Sequence, residues 1–223
     1  MTVLAEVRHL IRKEIILEWR NRHALNGILL YLVSTIFICY LAVISRQHNI
    51  SPGTWNALFW IIMLFSAVNA VAKSFIQVAP GRMLYYYTLA GPEAIIISKI
   101  LYNSVLLAAI GLIGALFYGI VLGNPVSDPG LFILVIILGG SGLASVLTMV
   151  SGIASKASHS TMLMAILSFP VLVPLLLLII KTTGHAIDGL GFPIAFDELA
   201  GLAALNLSAL AMSWILFPYL WKN

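Results

Sequence analysis

Six apolar runs, each close to the length of a bilayer crossing, occupy most of this chain at 25–45, 55–72, 100–122, 130–153, 162–181 and 199–219. A helix rising about 1.5 Å per residue needs roughly 20 residues to cross a hydrocarbon layer about 30 Å thick. Composition points the same way: 61% of residues are hydrophobic and 9% charged, and mean hydropathy is +1.04. Soluble domains carry roughly 25% charged residues. A chain this apolar lacks the polar surface to cover its own core in water. The expected fold is all-α: a polytopic membrane protein with six transmembrane helices in one domain over 1–223. The chain is short for a transporter built from two repeated halves, and no fixed-period repeat is visible.

Lys and Arg placement sets the expected orientation. With a cytoplasmic N-terminus, ten fall inside (Arg8, Arg12, Lys13, Arg20, Arg22, Lys73, Arg82, Lys99, Lys156, Lys222) and two outside (Arg46, Lys181). Both termini are therefore expected in the cytoplasm. The first run ends in Ile44-Ser45-Arg46 without a small-residue cleavage site and is expected to stay as a span. Residues 2–22 show helical periodicity, with Val3, Leu4, Val7, Leu10 and Ile11 on one face and Arg8, His9, Arg12 and Lys13 around it. They read as an amphipathic helix within 1–24, lying in the membrane interface. Glu14, Glu18 and Arg22 extend the stripe at i, i+4 spacing. They are expected either to pair as Glu18–Arg22 or to dock a cytoplasmic partner.

No ionisable residue lies near the middle of any span, which argues against a proton- or sodium-coupled carrier with carboxylate relays. Asn69, Asn206 and the hydroxyls of Ser141, Ser145 and Thr148 are expected to hydrogen-bond between helices. Gly111, Ala115, Gly119 and Gly123 form a small-residue stripe on the third span and read as a packing seam. Pro170 and Pro174 on the fifth each remove a helix hydrogen bond, giving a static bend or a hinge. The tryptophans sit mostly near span ends, as an interfacial belt would.

Catalytic signals are weak. Gly139-Gly140-Ser141-Gly142 matches the serine motif of rhomboid intramembrane proteases, but the sixth span carries no histidine to act as base. Five scattered histidines and the lone Cys39 offer no metal spacing, so no metal site is expected. His48 and His185, on the outer side, are solvated loop residues or axial haem ligands. No Walker A sequence occurs, so any ATP must bind another subunit.

The loop 73–99 carries two turn signals, Pro80-Gly81 and Gly91-Pro92, around a segment long enough for a short helix. That segment either rests at headgroup level through Tyr85, Tyr86 and Tyr87 or couples to a cytoplasmic ATPase.

Ile11-Arg-Lys-Glu-Ile-Ile-Leu-Glu-Trp-Arg20, the Gly81…Leu89…Pro92…Lys99 loop, Gly140-Ser-Gly-Leu-Ala144 and Phe169-Pro-Val-Leu-Val-Pro-Leu-Leu-Leu177 together resemble the CcmB family, haem exporter protein B, and the likeness covers nearly the whole chain. It implies an ABC-2-type permease in a bacterial inner membrane, itself non-catalytic, working in cytochrome c-type biogenesis. Implied partners are a CcmA-like ATPase, CcmC-like and CcmD-like membrane proteins and the haem chaperone CcmE, with two permease copies per complex. ATP would sit on the partner, and no ligand motif supports haem bound here. Candidate ATPase-coupling residues are Gly81, Leu84, Leu89, Gly91, Pro92, Glu14 and Glu18. Family members carry an acidic cluster before the loop glycine, whereas Gln77-Val-Ala-Pro80 stands here. The resemblance then implies a different ATPase contact, with Glu14, Glu18 or Glu93 as candidates. The alternatives are an ABC-2 permease exporting a lipid, polysaccharide or drug, and a membrane-embedded hydrolase using Ser141.

Overall fold

The computed structural model describes residues 3–20, 22–44, 50–71, 75, 91–155 and 160–222. Among these, helix is the only regular structure: α1 (Val3–Arg20), α2 (Arg22–Ile44), α3 (Pro52–Val71), α4 (Pro92–Leu122), α5 (Pro129–Ala154), α6 (Ser160–Asp188) and α7 (Gly191–Lys222). Six of them, α2 to α7, are long and apolar enough to cross a membrane. Outward-facing Leu30, Ile113, Leu116, Ile120, Phe169, Leu177 and Leu207 leave a broad apolar surface, which suits lipid rather than water.

α5 is the central helix and packs against α3, α4, α6 and α7. Its glycines allow this. A Cβ on Gly140 would stand 3.4 Å from the backbone nitrogen of Ala108 on α4; one on Gly139 would meet the Trp60 ring at 2.9 Å; one on Gly142 would meet Leu175 at 2.9 Å. The serine motif of the sequence therefore lets the backbone of α4 approach α5 closely. Small residues bring helices together in this way where no hydrophobic force separates protein from lipid.

Two boundaries differ from the sequence expectation. α4 starts at Pro92 rather than near 100, with Gly91 extended at the cap (φ −66°, ψ 148°) and Pro92 at the first helical position. Proline there loses no helical hydrogen bond, so Gly91-Pro92 opens a helix, and Ala94, Ile95 and Ile96 are buried in its first turns. Residues 182–198, between the expected spans 162–181 and 199–219, are helical apart from Gly189-Leu190. Gly189 (φ 69°) and Gly191 (φ 74°) adopt left-handed conformations that reverse the chain. Helix persists through the polar Thr182-Thr183 because both hydroxyls bond back to carbonyls one turn earlier.

The belt expectation also fails for Trp55 and Trp60, which are buried. With Phe59, Tyr118 and Phe132 they form an aromatic core with ring centroids 4.8 to 5.9 Å apart. Burial is possible because each indole finds an acceptor inside the bundle. Trp55 Nε1 donates to the Gly123 carbonyl at 2.9 Å, and Trp60 Nε1 to Thr183 Oγ1 at 2.9 Å.

Gly140→Leu is expected to force α4 and α5 apart and destabilise the protein by about 1–3 kcal/mol, the usual penalty of overpacking. Thermal unfolding in detergent measures this. Gly27→Leu, with nothing within 4 Å of the new Cβ, should leave the midpoint unchanged or slightly raised.

Candidate functional site

At one end of the bundle, α1, the residue Phe75 beyond α3, the start of α4 and the ends of α5 and α7 converge. Phe75, Ile95, Ile96, Ile100 and Phe217 form an apolar cluster, with Leu10 of α1 packed on it. The Phe75 and Phe217 rings stand 5.4 Å apart, and Gly152 of α5 lies flush against both. The apolar face of α1, expected to meet lipid, covers this cluster in part: Val7 is buried, while Ile15, Ile16 and Leu17 remain exposed.

The two helices run parallel in register. Glu6 Oε2 accepts the Gly91 N–H at 3.2 Å, and Lys99 Nζ donates to Glu14 Oε1 at 3.4 Å, both across 85 residues of sequence. Glu18 follows beside the Tyr102 hydroxyl, one turn farther along. Glu6 thus satisfies a backbone donor at the start of α4, where the first N–H groups lack helical partners.

Lys99 is the unusual member. Its side chain is 7% exposed, its ammonium sits 4.9 Å above the Phe75 ring, and Glu14 supplies the carboxylate. Lys13 reaches the same Glu14 oxygen at 3.3 Å. Removing one partner of a buried pair strands the other charge, at about 3–5 kcal/mol.

The sequence candidates are distributed unevenly over this geometry. Gly91, Pro92, Glu14 and Glu18 come together at the α1–α4 contact. Gly81, Leu84 and Leu89 lie outside the described residues, as do His48, His159 and the Arg22 side chain. Glu93 lines an open cleft of about 380 Å³ with Trp214, Ile215, Pro218 and Tyr219.

The small-residue stripe does not face a single neighbour. Gly111 is pressed by Ile136 and Met63, Gly119 faces Asn124 of its own connection, and Gly123 (φ +83°) ends α4. Ala115 is half-buried against the core. Pro170 and Pro174 lie on the exposed side of α6, which continues through both.

Sequence reasoning missed Glu6 and Phe75, and it counted Lys99 only as a loop charge. The available signal was spacing: Gly91, Ile95 and Lys99 fall at i, i+4, i+8 and match Glu6, Leu10 and Glu14. It also missed Asn103, whose amide donates to Thr148 at 2.8 Å between α4 and α5.

Ser141 is not poised for attack. Its hydroxyl bonds to the Leu138 carbonyl at 2.8 Å and to Asn206 Oδ1 at 3.3 Å, and Asn206 returns its amide to the same carbonyl at 3.1 Å. An amide cannot serve as the general base that a serine nucleophile needs. At the opposite end, Glu198 Oε1 lies 2.6 Å from Lys181 and 3.7 Å from His185 Nε2. Among the described residues no group of three His, Cys, Asp or Glu side chains is placed to hold a metal ion.

The fold defines a multi-pass α-helical membrane protein. Residues 5–218 match the family described as CcmB protein, and the chain belongs to that family, permeases of the ABC transporter for cytochrome c biogenesis. No curated protein matches the chain.

Ser141→Ala should leave c-type cytochrome content unchanged, measured by haem staining of membranes, with a stability loss of about 1 kcal/mol from the missing hydrogen bond. A fall to background would reinstate a catalytic serine.

Proposed function

We propose that this permease couples ATP hydrolysis on a separate CcmA-like subunit to haem delivery, or to release of the haem-loaded chaperone CcmE. It works beside CcmC-like and CcmD-like membrane proteins, in two copies per complex. The chain itself is non-catalytic, and ATP binds the partner. It sits in a bacterial inner membrane with both termini in the cytoplasm, as the ten-to-two division of Lys and Arg favours.

One observation carries the coupling reading. Phe75 and Gly91, the described residues that flank 76–90, both meet the α1–α4 contact, through Lys99 and Glu6 respectively. A push on that segment reaches α4 directly, and α4 packs against the central α5. This arrangement supports the mechanical role. Family membership supports the ATPase partnership.

Gly81→Val and Pro92→Ala should each uncouple the two activities. The expected result is a drop of at least about tenfold in c-type cytochrome with ATPase turnover and membrane insertion retained, tenfold being about 1.4 kcal/mol of coupling. Normal cytochrome levels in a loop variant that no longer binds the ATPase would contradict the reading.

A further inference from the structure

We propose that the Glu14–Lys99 pair is a latch that makes α1 and the first three turns of α4 one rigid lever, with Glu14 a positioning residue inside the permease and not a contact for the ATPase. This rests on the coupling function above and adds which residues hold the moving part together.

The argument is one of register and burial. Glu6, Leu10, Glu14 and Glu18 form one face of α1 at i, i+4 spacing, and Gly91, Ile95, Lys99 and Tyr102 oppose them. Sliding α1 by one turn in one direction puts Leu10 against Gly91, Glu14 against the buried Ile95 and Glu18 against Lys99, so the ammonium keeps a carboxylate only by setting another one on an apolar side chain. Sliding it the other way puts Leu10 against Lys99 and leaves the ammonium without a carboxylate. One slip strands a buried ammonium and the other sets a carboxylate against an apolar side chain, and both are unfavourable in a low-dielectric setting.

Parting the helices breaks the same pair, which holds Lys99 at 7% exposure while α1 is in place. The ammonium also rests on Phe75, the described residue that precedes the 76–90 segment. One cation therefore ties α1, α4 and the root of the loop. The Glu14 carboxylate meets the buried Lys99 of α4 as well as its half-exposed neighbour Lys13, so its charge is engaged within the lever.

The test uses the permease in native membranes with its co-purifying ATPase. Glu14→Lys and Lys99→Glu are made singly and together, reading c-type cytochrome, permease level and retained ATPase. Each single variant should lose at least about tenfold in cytochrome while keeping the ATPase. The double swap should return to within about twofold of the starting level, since the same pair is rebuilt with its charges exchanged.

Loss of the ATPase on changing Glu14 alone, with no recovery in the double swap, would make Glu14 a partner contact and overturn the proposal. Should the single variants not accumulate, a second measurement decides. In a Cys39→Ser background, Leu10→Cys and Ile95→Cys are joined by a short thiol cross-linker. A rigid lever keeps at least about half its cytochrome output when linked, whereas a fall to background means that α1 must part from α4, and the latch is wrong. Absence of any co-purifying ATPase from the unaltered protein would sink the coupling function itself, and is read separately from either result.

Discussion

Hydrocarbon offers no hydrogen-bond partner to a buried amide, indole or ammonium group, so each such group must find its partner within the protein. That constraint organises the bundle. Asn56 donates to the Ile180 carbonyl, Trp60 to Thr183, Asn103 to Thr148, Asn206 to the Leu138 carbonyl and Tyr118 to the Trp55 carbonyl. These bonds join α3 to α6, α4 to α5, α5 to α7 and α3 to α4. Each fixes a rotation and a depth that apolar contact alone would leave loose, since lipid tails compete equally for apolar surface. Lys99 is the charged case of the same rule, and its partner comes from a helix that is not one of the six long apolar ones.

Close approach supplies the second half of the packing. Gly139, Gly140 and Gly142 let Trp60, the backbone of α4 and Leu175 press on α5 from three sides. With α5 held by four neighbours, displacement of α4 at its N-terminal end has little slack in which to dissipate. The proposed path from ATPase to membrane is accordingly short: the 76–90 segment, the α1–α4 pair, then α5.

The spans were legible in the sequence because twenty apolar residues have one stable form in a bilayer, and their order survives, although α4 and α7 start earlier, at Pro92 and Gly191. The first turns of α4 were not. Gly91-Pro92 signals a turn and a helix start equally well, and only burial of Ile95 and Ile96 decides between them. Residues 182–198 read as a loop because Thr, His, Asp and Gly are frequent there, while the back-bonded Thr182 and Thr183 hide their polarity inside a helix. Trp55 and Trp60 look interfacial by position, yet their acceptors on α6 and at Gly123 lie far away in sequence. The site was half legible. Glu14, Glu18, Gly91 and Pro92 carried visible signals, but the inward turn of Glu14 depends on Lys99, 85 residues on, and no local pattern pairs them.

The central claim is that this permease acts with an ATPase in cytochrome c maturation, and affinity purification from native membranes in mild detergent tests it most directly. Mass spectrometry of the recovered material should find an ABC ATPase together with CcmC-like and CcmE-like proteins. Recovery of no ATPase, under conditions that keep membrane complexes intact, would contradict the account. An ATPase accompanied by glycan or lipid enzymes would contradict the cytochrome assignment and leave an exporter of another substrate.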